Sequence, residues 1–307
     1  MDALFRLLGD ETRLRVLYLL STGVYGVGEI AETLGLAQNL VSHHLRALSD
    51  GELIRSDRQG RMVFYRLQDT GSAPEAAPVL SHFLNWAAAR PPFSVDRERG
   101  GRVLGRRPER SRSFFARHAD RWDGLAASTV DVARSKELLA QLLPPSGNGI
   151  AADLGTGTGS LVPWLSGRFE RVIAVDASRE MLNLAERNHA GPRTEFRLGE
   201  LEHLPLPDVS LDAAVMHYVL HHCARPEAVF PEVRRVLRPG GAFVLFDFLP
   251  HREEKFRVEM GDVWLGFSLG DIEPLFVRNG FRLDPPMSFS TPSPALEAFA
   301  LKAVRCG

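Results

Sequence analysis

The chain has 307 residues, of which 37 are Lys or Arg, 38 are Asp or Glu, 10 are His and only 2 are Cys. This length predicts about two domains, and an apolar fraction of 44% excludes a mostly disordered chain. No apolar run approaches the roughly 18 residues that predict a membrane span, and two distant cysteines exclude a disulfide framework, so we expect a cytoplasmic protein that does not contact a membrane.

The formal net charge of −1 conceals a basic middle between two acidic ends. Residues 1–89 hold 8 Arg and 10 acids, residues 90–117 hold 9 Arg and 3 acids, and residues 118–307 hold 20 basic and 25 acidic side chains. The overall balance therefore does not exclude a nucleic-acid ligand, because a basic segment is averaged with acidic ones.

The first 68 residues predict three helical segments followed by a hairpin. Apolar residues recur at helical spacing after Asp10, a typical N-cap residue. A short helix ends at Gly35, and a longer one ends at Gly51. We expect the longer helix to bury Leu40, Leu45 and Leu48. Two strands then flank a predicted turn at residues 57–60, and this order of elements is typical of a winged helix-turn-helix.

A helix-turn-helix places its second helix in the major groove of DNA, with N-terminal polar side chains against base edges. The candidates on that helix are Gln38, Asn39, Ser42, His43 and Arg46. Gln and Asn can pair with adenine, and Arg with guanine. The hairpin adds Arg58, Gln59 and Arg61 for phosphate or minor-groove contacts. The alternative is a polar helix face that is simply solvated.

The segments DETRLRVLYLL, IAETLGLAQNLVSHHLRALSDGELI and RMVFYRL match a known family in order and spacing. Residues 1–68 resemble the winged-helix repressors of the ArsR/SmtB family. The resemblance implies a homodimer on a palindromic DNA operator, with terminal helices at the dimer interface. Gly26 and Gly28 stand where the metal sensors of that family have thiolates, so that metal site is not expected. Ala37 stands where the family often has a serine N-cap.

Residues 76–90 predict an amphipathic helix that ends before Pro91-Pro92. It is the candidate dimerisation helix, and a core helix within one chain is the alternative. Residues 91–112 are rich in Arg, Gly and Pro and predict a basic linker, whose arginines could add phosphate contacts. A helical pattern resumes at Ser113.

From Ile150 onward, short apolar runs alternate with helical or loop segments, as in a parallel sheet covered by helices. The first run leads into Asp153-Leu-Gly155-Thr-Gly157-Thr-Gly159. Glycines in such a strand-to-helix turn let the backbone approach a ligand closely, and the following helix offers its N-terminal dipole. A dinucleotide-binding G-x-G-x-x-G would need a glycine at 160, where the chain has Ser160.

This glycine spacing, with LGELEHLPLPDVSLDAAVMHYVLHH and HCARPEAVFPEVRRVLRPGGAFVLFDF after it, resembles class I S-adenosylmethionine-dependent methyltransferases over residues 113–284. The resemblance implies a Rossmann-like α/β domain with a seven-stranded, mostly parallel sheet and S-adenosylmethionine as cofactor. It implies cofactor contacts by Asp153 at the methionine amino group, Gly155, Thr156, Gly157 and Gly159 in the turn, Asp176 at the ribose, Ala177, Met181, Glu200 and Leu201 around the adenine, and His217 near the methyl end.

Several polar residues follow on the substrate side. They are Tyr218, His221, His222, His251 and Glu254, and the catalytic candidates are His217, Tyr218 and His251. Two segments could cover the bound molecules, one with Phe115, Trp122 and Asp123, the other with Trp264, Gly266 and Phe267. No metal site is predicted, because adjacent residues such as His221 and His222 point apart on a helix.

We therefore expect a winged helix-turn-helix DNA-binding domain at 1–70, a dimerisation helix and basic linker at 71–112, and a methyltransferase domain at 113–307. The expected function is ArsR-type transcriptional regulation combined with methylation of an unidentified small-molecule acceptor. The alternative is a non-catalytic regulator that senses S-adenosylmethionine or S-adenosylhomocysteine.

Two further activities are disfavoured. DNA amino-methyltransferases usually carry an Asn/Asp-Pro-Pro-aromatic motif, whereas here the fourth strand ends in Met216-His217-Tyr218-Val219. Arsenite methyltransferases depend on several cysteines, and this chain has only Cys223 and Cys306.

Overall fold

A computed structural model of the chain describes residues 2–68, 76–143 and 149–307. Its internal contacts divide the chain into two compact units, Met1–Pro108 and Glu109–Gly307. Among the described residues, no helix combines the length and apolar character needed to cross a bilayer.

The first unit is a winged helix-turn-helix, as predicted. Its elements are α1 (Asp2–Leu8), α2 (Glu11–Leu20), β1 (Tyr25–Gly26), α3 (Val27–Leu34), α4 (Gln38–Asp50), β2 (Ile54–Gln59), β3 (Met62–Leu67), α5 (Ala77–Ala87) and the start of α6 (Phe93–His118). The three strands form an antiparallel sheet in the order β1-β3-β2.

Local chemistry defines the ends of these helices. The side chain of Asp10 accepts a hydrogen bond from the backbone N–H of Arg13, which confirms the predicted N-cap of α2. Gly35 ends α3 in a left-handed conformation. Helix α4 begins after Ala37 without a side-chain cap, as its sequence predicts. The turn between α3 and α4 thus relies on backbone hydrogen bonds, including Leu36 N–H to the carbonyl of Ala31.

Two details of this unit differ from the prediction. Leu40 is 42% exposed rather than buried, because α4 presents Val41, Leu45 and Leu48 to the core and Leu40 lies on the other side of the helix. The hairpin turn is also displaced, since residues 57–59 still belong to β2 and Gln59 pairs with Met62.

The predicted linker at 91–112 is wrong, because helix α6 runs without interruption from Phe93 to His118. Its composition predicted a loop, but packing on the first unit outweighs the low helix propensity of its glycines. Leu104 joins the core formed by helices α2 to α4. A Cβ at Gly100 would lie 2.6 Å from Leu19 Cδ1, so a glycine is needed there for close approach rather than for flexibility.

Ion pairs also attach α6 to the first unit. Arg15 makes two hydrogen bonds, of 2.7 and 2.8 Å, to the buried carboxylate of Asp96. Arg107 is buried and bonds to Glu29 at the start of α3, and Arg106 pairs with Glu32. Arg106 and Arg107 of the basic segment therefore have acidic partners within the first unit. Phosphate contacts by this segment stay a prediction.

The second unit is an α/β domain that the sequence also predicts. Its elements are the end of α6, α7 (Trp122–Ala126), α8 (Val132–Leu142), β4 (Ile150–Leu154), α9 (Val162–Ser166), β5 (Arg171–Asp176), α10 (Arg179–His189), β6 (Thr194–Leu198), β7 (Leu211–His217), α11 (Pro226–Val236), β8 (Leu237–Phe248), α12 (Phe256–Glu259), α13 (Leu269–Arg278), β9 (Phe281–Leu283), β10 (Met287–Ser290) and β11 (Glu297–Arg305), with 3-10 turns at Ala119–Arg121 and Leu220–His222.

The sheet of this unit has the strand order β10-β11-β8-β7-β4-β5-β6. Strands β8, β7, β4, β5 and β6 are parallel, and β11 is antiparallel to β8. The described sheet has eight strands rather than the predicted seven, because the short strand β9 also pairs with β11. Its central strands are buried on both faces. Because these strands are parallel, their carboxyl ends lie along one edge of the sheet, where the loops that follow them gather.

The consecutive arginines of α6 give a matched test of its packing. Arg107→Ala removes a buried cation and leaves the Glu29 carboxylate without its cationic partner, which should cost about 3 kcal/mol of unfolding free energy. Arg106→Ala removes an exposed pair and should cost about 1 kcal/mol or less. Hydrogen exchange of α3 amides during denaturant unfolding measures both effects. Equal losses would contradict the packing described for Arg107.

Candidate functional site

The predicted DNA-contacting side chains share one exposed surface of α4 and the hairpin. Helix α4 buries Val41, His44, Leu45 and Leu48, and its opposite face is exposed. That exposed face holds all five predicted residues, Gln38, Asn39, Ser42, His43 and Arg46, together with Leu40. An exposed leucine in this position could contact a thymine methyl group, and the helical periodicity used for prediction assigned it to the core.

The hairpin is only partly as predicted. Arg58 and Arg61 are exposed, whereas Gln59 is buried and donates a 2.9 Å hydrogen bond to the carboxylate of Asp57. Gln59 is therefore a structural residue of the hairpin and not a DNA contact.

In the second unit, the glycine turn follows β4 at the carboxyl edge of the sheet. Gly155, Gly157 and Gly159 all have positive φ, of 76°, 55° and 86°. A Cβ at Gly155 would lie 2.4 Å from Val219 Cγ1, whereas a Cβ at Gly157 would meet nothing within 4 Å. The turn is thus packed tightly against the loop after β7 at Gly155 and is open at Gly157, as a ligand-binding backbone requires.

Asp176, at the end of β5, connects this turn to the neighbouring loop. One carboxylate oxygen accepts from the backbone N–H of Gly157 at 2.8 Å, and the other accepts from the N–H of Ser178 at 2.8 Å. Burial raises the pKa of Asp176, while its backbone hydrogen bonds oppose that rise. Because a carboxylate has about four acceptor positions, both oxygens can still accept from ligand hydroxyl groups.

Asp153 lies at the end of β4, where it is almost fully buried. It accepts a 2.7 Å hydrogen bond from the Thr156 hydroxyl. Burial raises the pKa of Asp153 to about 7, and the nearby Asp176 carboxylate adds to the rise. Ionising this buried carboxyl group is therefore costly, and a cation bound beside Asp153 would lower that cost by stabilising the carboxylate.

The remaining predicted cofactor residues lie along the same edge. The backbone N–H of Gly199 donates to the carbonyl of Asp176, which brings the Glu200–Leu201 loop beside β5. Met181 is buried at the first turn of α10, where its N–H bonds to the Ser178 hydroxyl, and Ala177 precedes that cap. Glu200 forms an ion pair with Arg112 on the second-unit part of α6, a partner that the sequence did not predict.

His217 ends β7, next to β4 in the sheet. Its Nε2 atom is buried and has no hydrogen-bond partner among the described residues. Burial lowers its pKa to about 3, so the ring is neutral. An unsatisfied buried ring nitrogen at this position fits a bound group that supplies the missing partner.

A separate pocket in the second unit is lined in part by the residues that follow β7. We call it the aromatic pocket, and its lining residues are Trp122, Ala126, Thr129, Val130, Tyr218, His221, His222, Phe248, Phe256, Met260, Asp262 and Leu296. Most of this lining is apolar, and its polar members are two hydroxyl groups, the indole N–H of Trp122, two imidazoles and one carboxyl group. Ligand pockets commonly have this composition.

Three of the predicted substrate-side residues line this pocket, and two do not. Tyr218, His221 and His222 are lining residues, whereas His251 and Glu254 are not. Tyr218 has a φ of 56°, unusual for a residue with a side chain, and burial raises the pKa of its hydroxyl. Burial lowers the pKa of His251 to about 4.

The two proposed covering segments have different roles. Asp123 accepts a 2.5 Å hydrogen bond from the Thr158 hydroxyl of the glycine turn, and its neighbour Trp122 lines the aromatic pocket. Trp264 is instead buried and does not line the pocket, and its indole N–H donates to the carbonyl of Cys223. Its segment therefore supports the loop that carries His221 and His222.

Two carboxylates at or beside the pocket were not predicted from the sequence. Asp247, on β8, accepts from Nδ1 of His221 at 2.7 Å and from the His221 backbone N–H at 3.2 Å. Asp262 contributes to the pocket lining close to both histidines. Asp247 had one possible signal, an acid inside an otherwise apolar strand, but nothing in the local sequence of Asp262 indicates its position.

The glycine turn gives a second matched test. Alanine at either Gly155 or Gly157 must adopt positive φ, which costs roughly 1–2 kcal/mol. Gly155→Ala also overlaps Val219, and relieving such overpacking typically costs a further 1–3 kcal/mol. Thermal unfolding should therefore show a larger loss for Gly155→Ala than for Gly157→Ala. The reverse order would mean that the turn packs differently.

Comparison with protein families gives two matches in this chain. Residues 10–56 match the bacterial regulatory protein, arsR family, and residues 152–245 match a methyltransferase domain. The second match covers β4 to β8 and so contains the glycine turn, Asp176 and His217. It supports S-adenosylmethionine as the cofactor of this domain.

Curated relatives are similar over part of the chain. An uncharacterized 37.1 kDa protein in transposon TN4556 of Streptomyces fradiae is 40% identical over 123 residues, which are 38% of this chain and 36% of that protein. The ubiquinone/menaquinone biosynthesis C-methyltransferase of Rubrivivax gelatinosus is 30% identical, over 46% of this chain and 57% of that enzyme. The malonyl-[acyl-carrier protein] O-methyltransferase of Serratia marcescens is 34% identical, over 50% and 56%. The chain thus spans between about a third and three fifths of these relatives.

Solved structures show the same fold. A complex of the Haloferax volcanii Trm112 methyltransferase activator with a methyltransferase matches at a TM-score of 0.55 and 20% identity, over 63% of this chain and 98% of the other. An S-adenosylmethionine-dependent methyltransferase from Mesorhizobium loti matches at 0.50 and 21%, over 57% and 100%.

The two family matches agree with the structure. The first falls on the winged helix with its exposed α4 face, and the second on the parallel sheet with its glycine turn. The chain therefore joins a winged helix-turn-helix domain that matches the arsR family of bacterial regulatory proteins to an α/β domain that matches a methyltransferase domain.

Proposed function

We propose that this protein is a DNA-binding transcriptional regulator that also transfers a methyl group from S-adenosylmethionine to a small-molecule acceptor. The observation that supports methyl transfer best is the pairing of two sites in the second unit. An open glycine turn held by Asp176 lies at the carboxyl edge of the sheet. Trp122 lines the aromatic pocket, and the next residue, Asp123, accepts a hydrogen bond from Thr158 of that turn. Ligands of open parallel sheets bind at this edge.

The cofactor fits the residues present at the turn. Gly157 offers open backbone, Asp176 has remaining acceptor capacity for ribose hydroxyls, and the unpartnered Nε2 of His217 lies at the end proposed for the methionyl group. Asp153 would face the methionine amino group. When bound, the cofactor supplies an already activated methyl group, so the protein contributes mainly alignment and exclusion of water.

The aromatic pocket favours a small, largely apolar acceptor with one polar group. Trp122, Phe248 and Phe256 present apolar surface, and Tyr218 and His221 present hydrogen-bonding atoms. Among the similar enzymes, one is named for ubiquinone and menaquinone biosynthesis and another for malonyl-acyl-carrier protein, so their acceptors differ widely. The acceptor class proposed here therefore depends on the composition of the pocket.

DNA binding would use the exposed face of α4 and the hairpin arginines on a palindromic operator, read by a homodimer. Helix α5 is the proposed dimer element. One side of it packs on its own unit through Leu80 and Ala87, while Trp86 is 48% exposed. An exposed tryptophan next to a packed face is typical of an interface residue.

Asp176 provides the test of the cofactor site. Asp176→Asn keeps an acceptor for the turn but removes the charge that would hold the ribose hydroxyls. We expect S-adenosylmethionine to bind about 10- to 100-fold more weakly, which is the scale of hydrogen bonds to a charged group. Asp208→Asn, at an exposed ion pair with Arg235, is the matched control and should bind normally. Calorimetric titration gives both constants, and unchanged binding to Asp176→Asn would exclude this ribose site.

Asp153 predicts a pH dependence of cofactor binding. With its pKa raised to about 7, the carboxyl group is largely protonated at pH 6 and ionised at pH 8. A methionine ammonium group binds the ionised form better, so affinity should increase as pH rises from 6 to about 7.5. Asp153→Asn should remove most of this dependence. A wild-type affinity that is constant over this range, or that falls with rising pH, would contradict the proposed role.

A sensor without turnover is the second candidate, and one observation favours it. Glu200, assigned to the adenine, is paired with Arg112 on α6, and α6 begins in the winged-helix unit. A ligand changes DNA affinity only if it binds the two states unequally. Operator titrations with S-adenosylmethionine, with S-adenosylhomocysteine and without either distinguish the candidates, because the sensor requires a shift in DNA affinity and no release of S-adenosylhomocysteine.

A further inference from the structure

The polar end of the aromatic pocket brings together side chains from three parts of the second unit. His221 and His222 belong to the 3-10 turn after β7, Asp247 to β8, and Asp262 to the loop after α12. His221 Nε2 lies 3.7 Å from Asp262 Oδ1, and His222 Nδ1 lies 3.8 Å from the same oxygen. The two imidazole rings are only 4.0 Å apart between centroids, so the expectation that these adjacent residues point apart is wrong.

We propose that His221, His222 and Asp262 bind one divalent transition-metal ion, with open coordination positions facing the aromatic pocket. All three side chains line that pocket, so an ion between them would be reached from it. The proposal goes beyond methyl transfer and does not depend on it.

The contact between His221 and Asp247 supports this assignment. A histidine that ligates a metal usually donates its other ring N–H to a carboxylate, which fixes the tautomer and aims the second nitrogen at the ion. Here Nδ1 of His221 bonds to Asp247 at 2.7 Å, and Nε2 is directed toward Asp262. Asp247 is itself held by the backbone N–H groups of His221 and Phe248, so the ring is fixed before any ion binds.

Asp262 supplies a second, independent observation. Its side chain is only 3% exposed, and its Oδ1 atom has no hydrogen-bond partner among the described residues. Leaving such an acceptor unsatisfied in the interior is costly. This atom is also the one that lies between the two imidazoles, so a cation there would satisfy it.

Charge and distance are compatible with a divalent ion. Two neutral imidazoles and the carboxylates of Asp247 and Asp262 balance a charge of +2. The three donor atoms all lie within 4.8 Å of one another. Ligands about 2.0–2.1 Å from a tetrahedral ion are roughly 3.3 Å apart. The two nitrogen–oxygen pairs, at 3.7 and 3.8 Å, need to approach by a few tenths of an ångström, and the two nitrogens, within 4.8 Å of each other, by up to about 1.5 Å.

One rearrangement accompanies binding. His222 Nδ1 lies 3.3 Å from the carbonyl oxygen of Gly261, a long contact that requires the proton on Nδ1. Coordination through Nδ1 moves that proton to Nε2, so a weak hydrogen bond is exchanged for a metal bond.

The set of two imidazoles and one carboxylate favours zinc, cobalt or nickel over magnesium or calcium, which prefer oxygen ligands. The open positions would take an oxygen or nitrogen donor of a molecule in the pocket.

The test uses tag-free, chelator-treated full-length protein titrated with Zn²⁺ or Co²⁺ alone. We expect one ion per chain, visible d–d absorption of Co²⁺ without thiolate charge-transfer bands, and a raised melting temperature with Zn²⁺. Asp262→Asn and, as a second variant, His222→Gln should weaken binding at least 100-fold. Asp247→Asn should weaken it about 10- to 100-fold, as for other groups that orient a ligand.

His203→Gln, an exposed histidine outside the cluster, is the matched control and should bind like the wild type. S-adenosylmethionine affinity measured on each variant shows whether the second unit is still folded. No binding by the wild-type protein, thiolate bands in the cobalt spectrum, or full binding by both Asp262→Asn and His222→Gln would each overturn the proposal.

Discussion

The carboxylate of Asp176 holds two loops of the second unit in one arrangement. It accepts from the glycine turn after β4 and from the N-terminal cap of α10, two segments that the parallel register of β4 and β5 brings to the same edge. Since it forms both bonds without help from a ligand, the turn is shaped before the cofactor arrives. Such preorganisation lowers the entropic cost of binding. The parallel pairing of β6 with β5 and of β7 with β4 brings Glu200, in the loop after β6, and His217, at the end of β7, to the same edge.

Much of the fold could be predicted from the sequence, because many helix ends and strands depend on local residue patterns. The Asp10 cap, the helix end at Gly35 and the apolar strands were predicted from residue type and spacing alone. The failures have tertiary causes. Helix α6 contains glycines that indicate a loop, yet Gly100 permits contact with Leu19, and Leu104 completes a core formed by residues far away in the chain. No local pattern reports that environment.

Contacts between residues distant in the chain also explain why the aromatic pocket was only partly predicted. Tyr218, His221 and His222 were found because they follow a strand at the expected edge of the sheet. Asp247 and Asp262 were missed, since what distinguishes them is proximity to His221 in the fold and not their sequence context. The basic segment is a related case, because its sequence did not indicate that Arg106, Arg107 and Arg112 are each paired with a glutamate.

We propose that the carboxyl edge of the second unit binds S-adenosylmethionine as one preformed site. Hydrogen exchange of the full-length protein with and without S-adenosylhomocysteine tests it most directly. If this edge is one preformed site, exchange becomes slower in residues 153–159, 176–181 and 199–201 together, with little change in α4. Exchange that is unaltered in these three segments, or slowed only elsewhere in the chain, would contradict it.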